Sequence, residues 1–157
     1  DRMVTSLAFA PNGRSLATSG WDRVVRVWDI ETGRELLELA GHSLAVSAVA
    51  FAPDGRSLAT GGWNGAIKLW DLASGSELRR FHGHTESIRA LDFDPTGQIL
   101  TSASWDGTAR LWDVATGEGL AVLRGHGDKV NAAAFRPAAA PAAVEDEPAL
   151  WAPLAAG

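Results

Sequence analysis

Four short motifs recur along the chain at a constant spacing of 42 residues. Gly-His pairs begin at residues 41, 83 and 125, and Trp-Asp pairs begin at residues 28, 70 and 112. Pro-x-Gly turns begin at residues 11, 53 and 95, and a further tryptophan stands at residues 21, 63 and 105. Four motifs in phase through three periods indicate a repeat architecture, in which neighbouring units stack to bury a shared core.

The second period shows what one unit contains. Val46 to Phe51 is apolar and β-prone, and the turn residues Pro53-Asp54-Gly55 end it. Three more strand-like segments follow, at residues 57–62, 66–70 and 77–81. Between the first two of these, Asn64-Gly65 predicts a type I′ hairpin with positive φ at both central positions. Short strands separated by turns predict an all-β fold with four strands in each unit.

Gly-His followed by Trp-Asp at this period resembles the WD-repeat β-propeller family. The resemblance extends over about residues 3–135. It implies four-stranded antiparallel blades, each with an inner strand a, then b and c, and an outer strand d. The predicted division is blade 1 at residues 1–40, blade 2 at 41–82, blade 3 at 83–124, the start of blade 4 at 125–136, and an Ala/Pro-rich flexible segment at 137–157.

Three blades and one inner strand cannot close a ring, because closure takes at least four blades. The expected fold is therefore a partial propeller that is not closed as a single chain. Either the sequence is a fragment of a longer chain, as its start at Asp1 suggests, or copies associate through their open blade edges. The resemblance also allows residues 137–157 to be an insertion in the a–b turn of the fourth blade.

Composition limits the classes of partner. The formal charge is −5, from 19 acidic and 14 basic side chains, and a phosphate backbone would attract a basic surface instead. Cysteine is absent, and no apolar run reaches the roughly 18 residues of a membrane span. We therefore expect neither nucleic acid nor membrane as a partner, and a cytoplasmic location. Abundant arginine, alanine and glycine suggest a bacterial coding sequence.

The resemblance assigns the histidines to structural hydrogen-bonded tetrads. In such a tetrad the Gly-His histidine, a strand-b hydroxyl, a b–c turn Asp and the strand-c Trp are joined. The third unit supplies His84, Ser102, Asp106 and Trp112; the second supplies His42, Thr60, Asn64 and Trp70; the first supplies Thr18, Asp22 and Trp28. Asn64 replaces the expected Asp, so His42 should be held less tightly than His84. Since each histidine belongs to a different blade, the sequence predicts no catalytic triad, no metal site and no cofactor.

The inner strands predict a bulge at one end. Large apolar residues fall at residues 4, 7 and 9, and again at 46, 49 and 51, and at 88, 91 and 93, so the step is three and then two. A regular strand alternates with a period of two, and a β-bulge absorbs the extra residue. The bulges should lie near Thr5, Ser47 and Arg89, with Asn131 at the matching position of the fourth unit. The resemblance places these residues on the so-called top face, which binds partners.

The chain has two periodic sets of tryptophans. The core tryptophans, Trp28, Trp70 and Trp112, are the tetrad members. The rim tryptophans, Trp21, Trp63 and Trp105, precede the b–c turn, and the resemblance places them on the top face. Tryptophan is enriched in binding hot spots, although these rings could instead stack between blades. The candidate ligand face is therefore the rim tryptophans with Thr5, Ser47, Arg89 and Asn131.

The expected function is a scaffold or adaptor that binds a protein or peptide through the top face, within a larger protein of bacterial signalling type. Two alternatives stay open. One is a purely structural module that spaces other domains, and the other is an enzyme with a site in the central channel. The rim residues include no acid–base pair, so the sequence predicts no enzyme activity.

Overall fold

The computed structural model describes residues 3–135 and consists of three four-stranded antiparallel sheets, each a meander of consecutive strands. The first sheet contains β1 (Val4–Phe9), β2 (Ser15–Gly20), β3 (Val24–Asp29) and β4 (Glu35–Ala40). The second contains β5 (Val46–Phe51), β6 (Ser57–Gly62), β7 (Ile67–Asp71) and β8 (Glu77–Phe81). The third contains β9 (Ile88–Phe93), β10 (Ile99–Ser104), β11 (Ala109–Asp113) and β12 (Gly119–Leu123). These are the all-β propeller blades that the sequence predicts.

Two apolar cores lie between the blades rather than inside them. Val25 and Leu39 of blade 1 pack with Val46 and Trp70 of blade 2 in the first core. The second core joins the other face of blade 2 to blade 3, with residues such as Ala50, Leu69, Phe81, Leu91 and Trp112. A four-stranded sheet is apolar on both faces here, so stacking is what removes that surface from water.

The predicted bulges are confirmed in all three inner strands. The pairing of β1 with β2 skips Thr5, and the pairing of β5 with β6 skips Ser47. The pairing of β9 with β10 likewise skips Arg89. Each bulge lies at the end of the blade where the b–c hairpin turns, so this end is defined as the top face.

The predicted type I′ turn at Asn64-Gly65 is wrong. Gly65 has a φ of 78°, but Asn64 does not have a positive φ. The Gly65 amide donates to the carbonyl of Gly62 at 3.2 Å, and the Gly62 amide donates to Ala66 at 2.9 Å. This is a β-turn over residues 62–65 followed by one left-handed residue, the commonest three-residue hairpin loop. In this three-residue loop, Trp63 is the first loop residue and directly follows strand β6.

The fourth unit has no strand within the described residues. Residues 130–135 follow the inner-strand pattern, yet no strand is assigned to them. An inner strand pairs with strand b of its own blade, and no such partner lies within residues 3–135. Instead the Val130 amide donates to Ser104, and the Phe135 amide donates to the Asp92 carboxylate at 2.7 Å. The predicted flexible segment at 137–157 lies outside the described residues.

One face of blade 1 is open to solvent. Val4, Leu7 and Phe9 are exposed, at 61%, 58% and 63% of their full area, although their counterparts in blades 2 and 3 pack against a neighbour. The same face carries Trp28, which is only partly buried. Because this face has no neighbour in the structure, the first blade lacks the burial that the other two share.

Candidate binding face

The three rim tryptophans are held by one repeated hydrogen bond. The main-chain amides of Trp21, Trp63 and Trp105 donate to the carbonyls of Met3, Ala45 and Ser87, at 3.1, 2.9 and 3.0 Å. Each accepting residue precedes an inner strand, so the bond ties the b–c turn to the start of strand a. The rings are therefore presented at equivalent positions on the top face of three successive blades.

Trp21 and Trp63 form an exposed aromatic pair across the junction of blades 1 and 2. Their ring centroids are 5.6 Å apart and their planes meet at 74°, an edge-to-face arrangement. Trp21 is 50% exposed and Trp63 is 41% exposed. The pair places a large apolar surface in contact with solvent, on two turns whose backbones are fixed.

Trp105 has different surroundings. Its indole N–H donates to the Asn131 side-chain oxygen at 2.9 Å. The Arg89 guanidinium lies 5.0 Å from the ring centroid, and the Lys129 ammonium lies 4.0 Å from it. Both distances fall within the range of cation–π interactions. We name Arg89, Trp105, Lys129 and Asn131 the cation–aromatic cluster.

Ser47 is buried and does not belong to the exposed part of this face, which corrects the expected ligand set, and Thr5 is partly buried with its hydroxyl bonded to the next blade. The Thr5 hydroxyl donates to the Val46 carbonyl of the next blade. The Ser47 hydroxyl donates to the Ile88 carbonyl at 2.5 Å, again across a blade junction, and Ser47 is buried. A side chain of this length at a bulge reaches the neighbouring backbone, so these hydroxyls fasten blades together. Sequence spacing located the bulges but could not show which way they face.

The tetrad hydrogen bonds are complete in the third blade. The two imidazole nitrogens of His84 lie 2.6 Å from Asp106 and 2.7 Å from the Ser102 hydroxyl. The Trp112 indole donates to the same hydroxyl at 2.8 Å. Burial raises the pKa of Asp106, but hydrogen bonds from Thr108 and His84 outweigh it and lower that pKa to about 2.

The second blade lacks one connection, which corrects the assignment of Asn64. His42 Nε2 lies 2.7 Å from the Thr60 hydroxyl, to which the Trp70 indole donates at 2.8 Å. Asn64, however, donates to Ser43 and accepts from the Ala66 amide, and His42 Nδ1 is buried with no hydrogen-bond partner among residues 3–135. Burial, with the nearby Lys68 charge, lowers the pKa of His42 to about 4. A neutral amide does not attract the imidazole as a carboxylate does.

In the first blade, the aspartate of the b–c turn has a different partner. Trp28 donates to the Thr18 hydroxyl at 2.8 Å, as in the other blades. With no histidine beside it among the described residues, Asp22 pairs with the Arg26 guanidinium at 2.6 Å. Burial raises the pKa of Asp22, but the hydrogen bond and charge of Arg26 together with main-chain hydrogen bonds outweigh it and lower that pKa. The tetrad positions therefore carry three different hydrogen-bond patterns in three blades.

Sequence reasoning missed the role of the aspartate in each Trp-Asp pair. Asp29 and Asp113 accept from the amide and hydroxyl of Thr32 and Thr116, and Asp71 does the same with Ser74. Their pKa values are lowered by these hydrogen bonds. The signal was available, because a Ser or Thr stands three residues after each of these aspartates. These carboxylates shape the c–d turn.

The comparisons with known proteins agree with this geometry. The family model described as "WD domain, G-beta repeat" (WD40) matches residues 1–29, 33–71 and 75–113. The chain belongs to the WD40 repeat family. The matched units repeat every 42 residues, as the motifs do. Each unit begins and ends at different residues from the blade that it overlaps.

Relatives match over single repeats. The chain is 43% identical over 42 residues to the general transcriptional corepressor TUP1 of Saccharomyces cerevisiae, which is 27% of this chain and 6% of the relative. It is 46% identical over 43 residues to the probable serine/threonine-protein kinase PkwA of Thermomonospora curvata, again 27% of this chain and 6% of the relative. The structure of U3-55K matches with a TM-score of 0.80 and 30% identity, over 85% of this chain and 42% of that chain. The WD40 chain thus matches 6% of the length of each of the two curated relatives and less than half of the U3-55K chain.

Two kinds of feature are absent from residues 3–135. No helix there is long and apolar enough to cross a membrane. In the same range, no three His, Asp or Glu side chains come together as a possible metal site.

Proposed function

We propose that this WD40 chain is a non-catalytic scaffold that binds a protein or peptide through its top face, in the cytoplasm and as part of a larger protein of bacterial signalling type. WD40 repeats are generally protein-interaction scaffolds, and one relative is a kinase by name. The observation that carries the proposal is the exposed pair of Trp21 and Trp63. Two large rings in contact with solvent on rigid turns have the character of a binding hot spot.

The test uses a random peptide library displayed on phage, selected against the protein, followed by titration of the selected peptides. Replacing both Trp21 and Trp63 by Ala should weaken binding at least about thirtyfold, since the loss of even one hot-spot residue costs roughly 2 kcal/mol. The matched control replaces Leu36 and Leu78, which are 57% and 51% exposed on the outer strands β4 and β8. That variant should bind as the parent does.

The outcomes separate the three functions under consideration. If no peptide is selected above background, the module is a structural spacer. If peptides bind but respond equally to the Leu36/Leu78 control, the top face is not the site. Turnover of a selected peptide would contradict the non-catalytic part of the proposal.

A further inference from the structure

The third blade departs from the first two at the bulge. In blades 1 and 2 the bulge residue is a small hydroxyl side chain whose hydrogen bond fastens the next blade. In blade 3 the bulge residue is Arg89, which cannot make that short bond and turns its guanidinium to the Trp105 ring. Its Nε is buried and has no hydrogen-bond partner within residues 3–135. A positive charge therefore stands where the repeat pattern puts a small neutral group.

A second positive charge meets the same ring. The Lys129 ammonium lies 4.0 Å from the Trp105 centroid, and Asn131 holds the indole N–H. Neither the Arg89 guanidinium nor the Lys129 ammonium has a carboxylate within 4.0 Å in the part of the chain that the structure describes, whereas Arg26 and Lys68 have such partners. The Asp128 carboxylate accepts from the main-chain amide of Lys129 at 2.7 Å and does not pair with its ammonium. Two cations gathered on one ring repel each other unless an anion lies between or beside them.

We propose that the cation–aromatic cluster is an anion subsite, which holds a carboxylate or phosphate group on a side chain of the peptide bound at Trp21 and Trp63. The inference rests on the proposed function, and it names the chemistry of the partner. Arg89 supplies planar N–H donors for two oxygens, and Lys129 supplies an ammonium group with three donors. The rim positions of successive blades then recognise an apolar side chain first and an acidic one further along the peptide.

The surroundings favour an isolated anionic group over a polyanion. An open cavity of about 320 Å³ beside Trp105 and Lys129 is also lined by Glu86, Asp106 and Asp128. Those carboxylates would repel a run of phosphates, and the chain as a whole has a charge of −5. A peptide with one acidic side chain meets the two cations without approaching the acidic wall.

The test titrates three versions of one selected peptide, in which a single position carries Glu, phosphoserine or Gln. The Glu and phosphoserine versions should bind at least about tenfold more tightly than the Gln version, because a hydrogen bond to a charged group is the stronger kind. The variant R89Q/K129Q should remove most of that preference, so that its ratio of affinities for the Glu and Gln versions falls to within about twofold of one. The order of Glu and phosphoserine identifies the source of the anion.

A matched control has the same change of charge elsewhere. R14Q/R34Q alters two exposed arginines at the opposite end of the blades, after the a–b and c–d turns of blade 1. It should retain the preference for the anionic peptides. If R14Q/R34Q loses it equally, the effect is long-range charge and the anion subsite is overturned.

The remaining outcomes keep the two proposals apart. If peptides bind through Trp21 and Trp63 but the Glu, phosphoserine and Gln versions bind equally, the anion subsite fails and the proposed function stands. If no peptide responds to the Trp21/Trp63 variant, the proposed function fails first. Displacement of the Glu peptide by a single-stranded oligonucleotide at equal concentration would also overturn the assignment to an isolated acidic side chain.

Discussion

His42 Nε2 lies 2.7 Å from the hydroxyl of Thr60, while the other nitrogen of the same ring is buried and has no partner in the part of the chain that the structure describes. In the third blade the equivalent nitrogen of His84 lies 2.6 Å from Asp106. One residue at the b–c turn, Asn64 or Asp106, makes the difference. The two blades therefore form an internal comparison of a complete and an incomplete tetrad in one molecule.

Replacing Asn64 by Asp should complete the second tetrad. The new carboxylate can accept from His42 Nδ1, so we expect the free energy of unfolding at neutral pH to rise by about 1–2 kcal/mol. The reverse change, Asp106→Asn, should lower it by a similar amount. Denaturant unfolding of the two variants and the parent measures both. A loss of stability in Asn64→Asp would show that His42 tolerates its unpaired nitrogen better than a nearby charge.

Acid should destabilise the protein in two separate steps. The folded-state pKa of His42, about 4, lies below its ordinary value of 6.5, so the unfolded chain binds this proton first. Stability should fall as the pH drops from about 6.5 to 4, by at most about 3 kcal/mol. Burial also lowers the pKa of His84, which adds to this step.

The second step belongs to Asp106. Its pKa is lowered to about 2, so its contribution is present above its ordinary pKa of 3.8 and is lost as the pH falls towards 2. Unfolding free energies measured from pH 8 to pH 2 should show both steps in the parent. In His42→Gln the first step should shrink, and in Asp106→Asn the second. A curve of His42→Gln that keeps the full first step would assign it to other groups.

Arg23 carries backbone strain that its counterparts avoid. It has a φ of 69°, and the residues 42 positions on at each step are Gly65 and Gly107, with φ of 78° and 81°. A side chain in this region costs roughly 1–2 kcal/mol. Since glycine also adds freedom to the unfolded chain, Arg23→Gly should raise the free energy of unfolding by up to about 1 kcal/mol. Thermal melts at fixed pH measure the change.

The two glycines provide the control for that experiment. A Cβ at Gly107 would have space, with its nearest atom 3.6 Å away, whereas one at Gly65 would lie 2.5 Å from the His84 carbonyl oxygen. Gly107→Ala should therefore show the conformational cost alone, and Gly65→Ala a larger loss. Equal losses at both would mean that the contact at Gly65 relaxes freely.

The core tryptophans should differ in their contribution to stability. Trp112 and Trp70 are 1% and 3% exposed, but Trp28 is only partly buried because no other blade among the described residues covers its face of blade 1. Replacing Trp112 by Ala should cost about 3–5 kcal/mol through loss of burial and a cavity, and Trp28→Ala roughly half as much. Denaturant unfolding of the 157-residue chain compares them. An equal cost at Trp28 would indicate that the hydrogen bond from the indole to the strand-b hydroxyl, which every blade has, contributes more to stability than burial of the ring does.

The period of the motifs predicted the blade architecture and the bulges because both depend on spacing alone. A skipped residue at Thr5, Ser47 and Arg89 follows from counting apolar positions, and the pairing confirms it. The predicted turn type at Asn64-Gly65 was wrong because an Asn-Gly pair is compatible with both a two-residue and a three-residue hairpin loop. The side-chain conformation of Asn64 depends on its contact with Ser43, which lies 21 residues away in sequence.

The candidate site was only half predictable for a related reason. The repeat spacing correctly predicts that the rim tryptophans lie on one face. It also predicts the same surroundings for residues at equivalent positions, which the structure does not show. Thr5 and Arg89 occupy the same register position, and one bonds to the next blade while the other turns to an indole. The difference depends on side-chain length and charge, which act through contacts between blades that no single repeat contains.

The hydrogen bonds from the bulge hydroxyls run in one direction along the stack of blades and stop at the third blade. Thr5 reaches forward to Val46, and Ser47 reaches forward to Ile88, always from one blade to the next along the chain. At Arg89 that succession stops, so among residues 3–135 the junction after the third blade lacks the bond that the two earlier junctions have. We therefore expect separation of neighbouring units to require less free energy at this junction than at the two earlier ones. Amide protons near Val130 should then exchange with solvent sooner than those that follow Val46 and Ile88.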